Sequence, residues 1–283
     1  MTGGLPVSAR PPRRARVLWG MGALVILLVW SAQGTGVDLA TLVSSEGLGQ
    51  IMTYARRLFP PDLSWATLRG AGWGAVETFA ISFAGSVLAI VLAVPLAVLT
   101  TRILLYRGVL FEGRRPGRLG RFARVGAYAI GKVMLNVMRT IPELVWALLF
   151  VFTVGLGPFP GVLALGVHTA GVLGKLFGEV LDDVGQRPLE ALQATGASRF
   201  AILLYGVLPQ ALPQCVSYAL YRWEVNIRAA AIMGFVGAGG LGQRVYVAIS
   251  LFHEHQLLTL ILTIYVMVTL VDALSAYVRS RLV

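Results

Sequence analysis

Charge is scarce in this chain. Of its 283 residues only 13% are Asp, Glu, Lys or Arg, while 57% are hydrophobic. A soluble domain carries about 25% charged and about 45–50% apolar residues. The composition therefore excludes an ordinary water-soluble globule and requires lipid as solvent. Acidic residues are scarcer still, 13 against 24 basic ones, for a net charge of +11. Cysteine is nearly absent. Cys215 stands alone, which excludes an intramolecular disulfide and a Cys-based metal cluster, and within an apolar run it reads as a small buried hydrophobe. Nucleotide chemistry is missing too. A phosphate-cradling loop needs G-x-x-x-x-G-K-[ST], and Gly174-Lys175 lacks both the earlier glycine and the Ser/Thr. Neither H-E-x-x-H nor G-x-S-x-G occurs, so no intramembrane hydrolase is encoded. His253-Glu-His255 does not have metal-ligand spacing, and no metal is expected. There is no internal repeat of the kind common in secondary transporters.

What is present is a series of apolar runs, over 17–32, 73–101, 122–154, 159–177, 211–235 and 257–278. At about 20 residues per crossing, they predict an all-α membrane protein with six transmembrane helices. The run 122–154 exceeds one crossing and has room to tilt. The basic residues lie between runs rather than on a soluble face, which argues against nucleic acid. Arg10, Arg13, Arg14 and Arg16 precede the first run. Arg102, Arg107, Arg114, Arg115, Arg118, Arg121 and Arg124 follow the second, and Arg279 and Arg281 close the last. Six crossings place all three groups on one side. The positive-inside rule makes that side cytoplasmic, with both termini there. The first run lacks a small-x-small cleavage site, so it is expected to remain as a span. Residues 1–72 form an N-terminal tail, first span and external segment, with an amphipathic helix expected around 48–58. Residues 73–283 form the core, with a cytoplasmic segment at about 182–209.

That segment carries the sharpest pattern, from Glu190-Ala191-Leu192 through Gly196 to Leu208-Pro209. Read alone it is an amphipathic helix, a glycine stop and a second helix leading into a span. Glycine tolerates the positive φ of a helix end, and proline is favoured in a first turn. Its spacing resembles the coupling motif of ABC importer membrane subunits: Glu-Ala-Ala, a glycine six residues after the Glu, then Leu-Pro. Two positions depart, since Leu192 replaces the second alanine and Gly206 stands where an aliphatic residue is usual. Further stretches extend the likeness to the phosphonate importer permease family: Arg139-Thr-Ile-Pro-Glu143, His168 to Lys175, Tyr221 to Arg228, and Gly237-Ala-Gly-Gly-Leu-Gly242. The resemblance covers about residue 73 to the C-terminus.

The resemblance implies a type I importer permease fold in an inner membrane. It implies two ATPase subunits that bind ATP and Mg, no cofactor in this chain, a second permease (identical or homologous) and an external binding protein. Glu190, Ala191, Ala194, Gly196, Arg199, Leu208 and Pro209 would meet the ATPase. The implied cargo is phosphonate, phosphate or phosphite, carried by alternating access. Another small solute such as an amino acid, or ATP-independent transport, stays open at this stage.

Ionisable residues inside spans are costly and face a cavity or a partner. Arg139, Glu143, His168, Lys175, Arg222, Glu224, Asn226 and Arg228 are therefore the candidate path residues. The alternative is that they pair across helices, as Arg139 with Glu143 or Arg222 with Glu224 from a neighbour. Guanidinium forks suit phosphorus oxyanions. Gly237, Gly239, Gly240 and Gly242 permit a re-entrant, gate-like bend. Glu77 reads as an interface group and Asp272 as nearly alone.

Overall fold

The computed structural model describes residues 13–36, 43–102 and 117–282. Arg10, Arg107, Arg114 and Arg115 lie outside them, as do the side chains of Arg13, Arg14, Arg16 and Arg199. Every regular element among the described residues is helical. The chain divides into two units, one ending at Arg57 and the other beginning at Leu58. The expected core boundary at residue 73 falls inside a helix of the second unit.

The first unit holds α1 (Arg13–Thr35) and most of α2 (Ser45–Leu58). The apolar part of α1, Val17–Thr35, is 19 residues long, enough for one crossing. α2 is amphipathic, with Glu46 in its first turn and Arg56 and Arg57 in its last, each charge matching the helix dipole.

In the second unit α3 (Trp65–Thr100) packs along α6 (Pro158–Asp182). Between helices in lipid there is little hydrophobic drive, so close approach through small residues has to supply the attraction. The buried face of α3 is accordingly Ala71, Gly74, Thr78, Ser82, Gly85, Ala89, Ala93 and Ala97. The fit is reciprocal: Leu165 fills the space a Cβ at Gly85 would take, and Leu88 does so at Gly166. Thr78 and Ser86 hydroxyls donate to carbonyls one turn back in their own helix, at 2.8 and 2.7 Å, which keeps them satisfied without water.

α4 (Arg118–Thr140) and α5 (Glu143–Val154) form the expected third span, but it is broken, bent by 91° at Ile141-Pro142. The cause is Pro142, which removes a donor and clashes with the preceding turn. α7 (Gln186–Ala194) and α8 (Arg199–Ile202) follow α6. A π turn (Leu203–Val207) joins α8 to α9 (Leu208–Met233). Phe200–Val236 passes as one apolar span of 37 residues, so the fifth span begins well before the expected residue 211. A 3-10 turn (Gly234–Val236), the short α10 (Gly240–Ser250) and α11 (Glu254–Leu282) complete the chain. Among the described residues five helices are long and apolar enough to cross a membrane, or six when the bent pair counts as one.

Three contacts sort the helix ends into two faces. The Arg102 backbone N–H donates to Asp182 Oδ1 at 2.7 Å, joining the ends of α3 and α6. At the opposite face Asp62 N–H donates to the His255 carbonyl at 3.1 Å, and Gly157 N–H to the Gly237 carbonyl at 3.0 Å. The α7–α8 segment leaves from the Arg102 face, where α11 also ends with Arg279 and Arg281.

Candidate coupling foot, membrane path and outer gate

The segment after α6 is a compact foot. Leu189 on α7 is buried with Val184, Ile202, Val207 and Ala211, while Leu192 and Cys215 pack at the edge. Glu190, Ala191 and Ala194 face outward, exposed. The helix stops because Gly196 takes φ +80°, a conformation that costs an L-residue about 1–2 kcal/mol. Gly196 N–H donates to the Gln193 carbonyl at 2.9 Å and Ala197 N–H to that of Leu192 at 3.2 Å, closing the α7 end. Pro209, in the first turn of α9, has no N–H for the Tyr205 carbonyl. The ladder widens there, and Leu208 N–H reaches back to the Leu203 carbonyl. The Gln210 side chain satisfies the Gly206 carbonyl at 2.7 Å. The foot and the fifth span are thus one continuous rod through a π turn.

Inside the span region the polar residues form two groups. The first surrounds the break in the third span. The Met138 carbonyl would normally accept from residue 142, which is proline, and Trp146 Nε1 donates to it at 3.1 Å instead. The Ile141 carbonyl accepts from His168 Nδ1 at 3.0 Å, and His168 Nε2 lies 3.5 Å from Glu143 Oε2. Two side chains therefore satisfy the carbonyls that the break orphans. Behind them runs a buried chain: Thr169 Oγ1 donates to Asn226 Oδ1 at 2.8 Å, and Asn226 Nδ2 to Ser86 Oγ at 2.9 Å. Arg222 adjoins this chain through Nη2, 3.5 Å from Thr169 Oγ1, and its buried Nε has no partner among the described residues. Glu143 is within electrostatic reach of it.

The second group ties α9 to α11. Glu224 Oε2 accepts from Arg279 Nη2 at 2.8 Å and Glu224 Oε1 from Arg228 Nη2 at 3.3 Å. Arg228 Nη2 also reaches Asp272 Oδ2 at 2.6 Å. Arg139 Nη2 donates to Asn136 Oδ1 at 2.8 Å, and Lys175 pairs with Glu179 at 3.4 Å.

The glycine stretch opens α10. Gly240, at φ +71°, donates its N–H to Glu77 Oε2 at 3.1 Å, and Leu241 N–H donates to Thr78 Oγ1 at 2.8 Å. Side chains of α3 thereby satisfy orphan donors at the α10 N-terminus. α10 buries Leu241, Val245 and Ala248 against α3 and α11, so it re-enters the bundle rather than crossing it.

Residues 121–283 match the family described as binding-protein-dependent transport system inner membrane component. The chain belongs to this family. A phosphite transport system permease protein of Stutzerimonas stutzeri is 37% identical over 87% of this chain and 82% of that protein. A phosphate-import permease protein of Mycolicibacterium smegmatis is 30% identical over 87% of this chain and 43% of the other. In structure, the methionine ABC transporter MetNI in an inward-facing conformation matches with TM-score 0.64. It covers 78% of this chain and 100% of its own, at 23% identity, and so speaks for the fold alone. As a family member this chain is the multi-pass permease subunit of an ABC importer in an inner-membrane transport system, and the importer's ATPase is a separate subunit. The type I importer fold is the one expected, and a second permease belongs to the family's assembly.

The importer fold brings together four of the eight anticipated path residues. Glu143, His168, Arg222 and Asn226 converge. Arg139 turns to Asn136 rather than to Glu143, and within the chain Glu224 takes Arg228 and Arg279. Thr169, Ser86 and Trp146 were not singled out from sequence, and Arg279 only as a flanking charge. Each is an unremarkable residue whose role depends on a second helix.

Proposed function

We propose that this permease carries a phosphorus oxyanion (phosphonate, phosphite or phosphate) past Arg222. Phosphite and phosphate permeases among its relatives support the cargo class. The observation that carries the reading is the buried Arg222 Nε without a partner beside the Thr169–Asn226–Ser86 chain. A desolvated guanidinium with a spare donor suits a tetrahedral oxyanion. Binding there must stay weak for release to follow. Arg139, Glu143, His168 and Lys175 line the approach, while Glu224, Arg228 and Asp272 hold α9 against α11.

The Arg102 face is assigned as cytoplasmic because Arg102, Arg279 and Arg281 gather there, and the positive-inside rule puts both termini on that side. Glu190, Ala191, Ala194 and Gly196 present the foot to an ATPase, with Arg199 as a polar contact and Leu208-Pro209 fixing the rod behind it. Two such ATPases bind ATP and Mg, and their closure drives the paired permeases, identical or homologous, between outward and inward states. An external binding protein delivers cargo at the opposite face. The bend at Gly237, Gly239, Gly240 and Gly242 forms the outer gate.

Two experiments test this. In proteoliposomes with the ATPase and binding protein, Arg222→Gln lowers phosphite and phosphate uptake by tenfold or more, about the worth of one charge-assisted hydrogen bond, while Arg222→Lys retains part. Unchanged uptake in Arg222→Gln removes the path assignment. Separately, Glu190→Arg and Gly196→Pro lose co-purification with the ATPase; retention in both variants removes the foot assignment.

A further inference from the structure

A second basic site lies at the end of the molecule opposite the foot. Arg244, on α10, lays its side chain across α3 at Gly70 and Gly74. A Cβ at Gly74 would sit 2.8 Å from Arg244 Cδ and 2.9 Å from Nε, and one at Gly70 3.3 Å from Nη1. Two glycines one turn apart on α3 thus make a groove that fits an arginine stem. The guanidinium makes no hydrogen bond or ion pair among the described residues, although it is only half-exposed. It lines a cavity of about 610 Å³ together with Thr67, Trp73, Glu77, Gln243 and Gln256. On its other side it shares a second cavity, of about 700 Å³, with Arg69, which likewise has no partner among the described residues.

The charge balance favours an anion. Glu77 is the carboxylate in the first cavity, and its Oε2 is committed to Gly240 N–H at 3.1 Å, at the positive end of α10. It forms no ion pair with Arg244. Arg244 thus meets one engaged carboxylate in the first cavity, and no carboxylate lines the second, which it shares with Arg69. Gln243 and Gln256 add neutral amide donors. Trp65 and Trp73 are both exposed beside it, and tryptophan is enriched at membrane–water interfaces.

We infer that Arg244 and Arg69 bind a phosphate-type oxyanion at the outer mouth of the permease. The ligand is either a free phosphorus oxyanion on its way to Arg222 or the phosphate of a lipid headgroup. Only the word "outer" rests on the proposed orientation and cargo; the binding itself rests on the arginine seat.

The experiment uses the permease–ATPase complex in dodecyl maltoside, freed of lipid, with 31P line broadening of added phosphite as readout. Native mass spectrometry after addition of phosphatidylglycerol forms the second arm. Arg244→Gln is expected to weaken the oxyanion interaction by about tenfold, the scale of a bidentate charged contact. Arg244→Lys should be intermediate, and Gly74→Ala should weaken binding by displacing the arginine stem. Broadening by wild type that Arg244→Gln removes and Arg222→Gln retains identifies a free oxyanion at this site. Retained phosphatidylglycerol that Arg244→Gln loses, without phosphite broadening, identifies the headgroup. Either result supports the site. Equal binding by wild type, Arg244→Gln and Gly74→Ala in both arms overturns it, as does binding in neither arm. Broadening lost only in Arg222→Gln overturns it while leaving the inner path standing.

Discussion

Leu192 fills the space that Gly206 leaves open. A Cβ at residue 206 would lie 3.0 Å from Leu192 Cδ1 and 2.6 Å from Leu189 Cδ2. These are the two positions at which the foot departs from the usual coupling pattern, one enlarged and the other reduced, and they touch. The larger residue at 192 thus packs, together with Leu189, into the space of the smaller one at 206. Gly206→Leu alone should overpack the joint at a cost of about 1–3 kcal/mol and uncouple ATP hydrolysis from uptake. Gly206→Leu with Leu192→Ala should recover coupling. ATPase activity and uptake in the same proteoliposomes measure both, and failure of the double variant to recover would show the contact to be incidental.

The break in the third span depends on Trp146 as much as on Pro142. Trp146→Phe leaves the Met138 carbonyl without its donor, at a cost of about 1–3 kcal/mol. In the Pro142→Ala background the alanine N–H can take that carbonyl, so the same Trp146→Phe change should cost much less. Thermal unfolding of the four proteins in detergent gives the comparison, and equal costs in the two backgrounds would rule out this role for the indole.

Glu224 is only 14% exposed as a side chain and holds two arginines. Glu224→Gln should lower stability by about 1–3 kcal/mol, with Arg228 keeping Asp272. A double-mutant cycle between Glu224 and Arg279 should show coupling, whereas a cycle between Glu224 and Arg222 should show none. Coupling in the second cycle would restore the pairing expected from sequence.

Asp62 clasps the strap before α3 to the start of α11. Its Oδ2 accepts from Thr67 Oγ1 at 2.5 Å and its Oδ1 from Ser64 N–H at 2.9 Å, while its carbonyl accepts from Thr259 Oγ1 at 2.8 Å. The Thr67 and Ser64 hydrogen bonds hold its carboxyl below the ordinary value of 3.8. A lowered folded-state value means stability present above the ordinary value and lost as pH falls through the folded one. The stability difference between wild type and Asp62→Asn should thus be constant near neutrality and shrink only below about pH 4. A difference that shrinks between pH 5 and 7 would point to another group.

The membrane class, the helix count and the foot were legible because each rests on local pattern: run length, arginine placement and Gly/Pro spacing. Within the described residues the faces agree, since Arg102 meets Asp182 and α11 ends in Arg279 and Arg281 at the same side. The partners of the membrane charges were not legible. An i, i+4 spacing points Arg139 toward Glu143, and Arg222 was expected to meet a neighbour's Glu224. Yet the carboxylates found closer partners on neighbouring helices, His168 for one and Arg279 for the other, and one sequence carries no record of that geometry. The bend at Pro142 was foreseeable as a kink, but not as a 91° break, because its size depends on which side chains cap the freed carbonyls. The π turn had no signal beyond Pro209 itself.

The unbroken helical run from the foot through the fifth span has a mechanical meaning. At 37 residues it is a lever about 55 Å long. A tilt of about 5° at one end of such a lever displaces the other by about 5 Å, comparable to one helical turn. A small rocking of the ATPase groove would then be magnified at Arg222 and at the glycine bend above it, with no relay of intermediate contacts. On the proposed coupling, the throw at the glycine bend scales with the length of this helix.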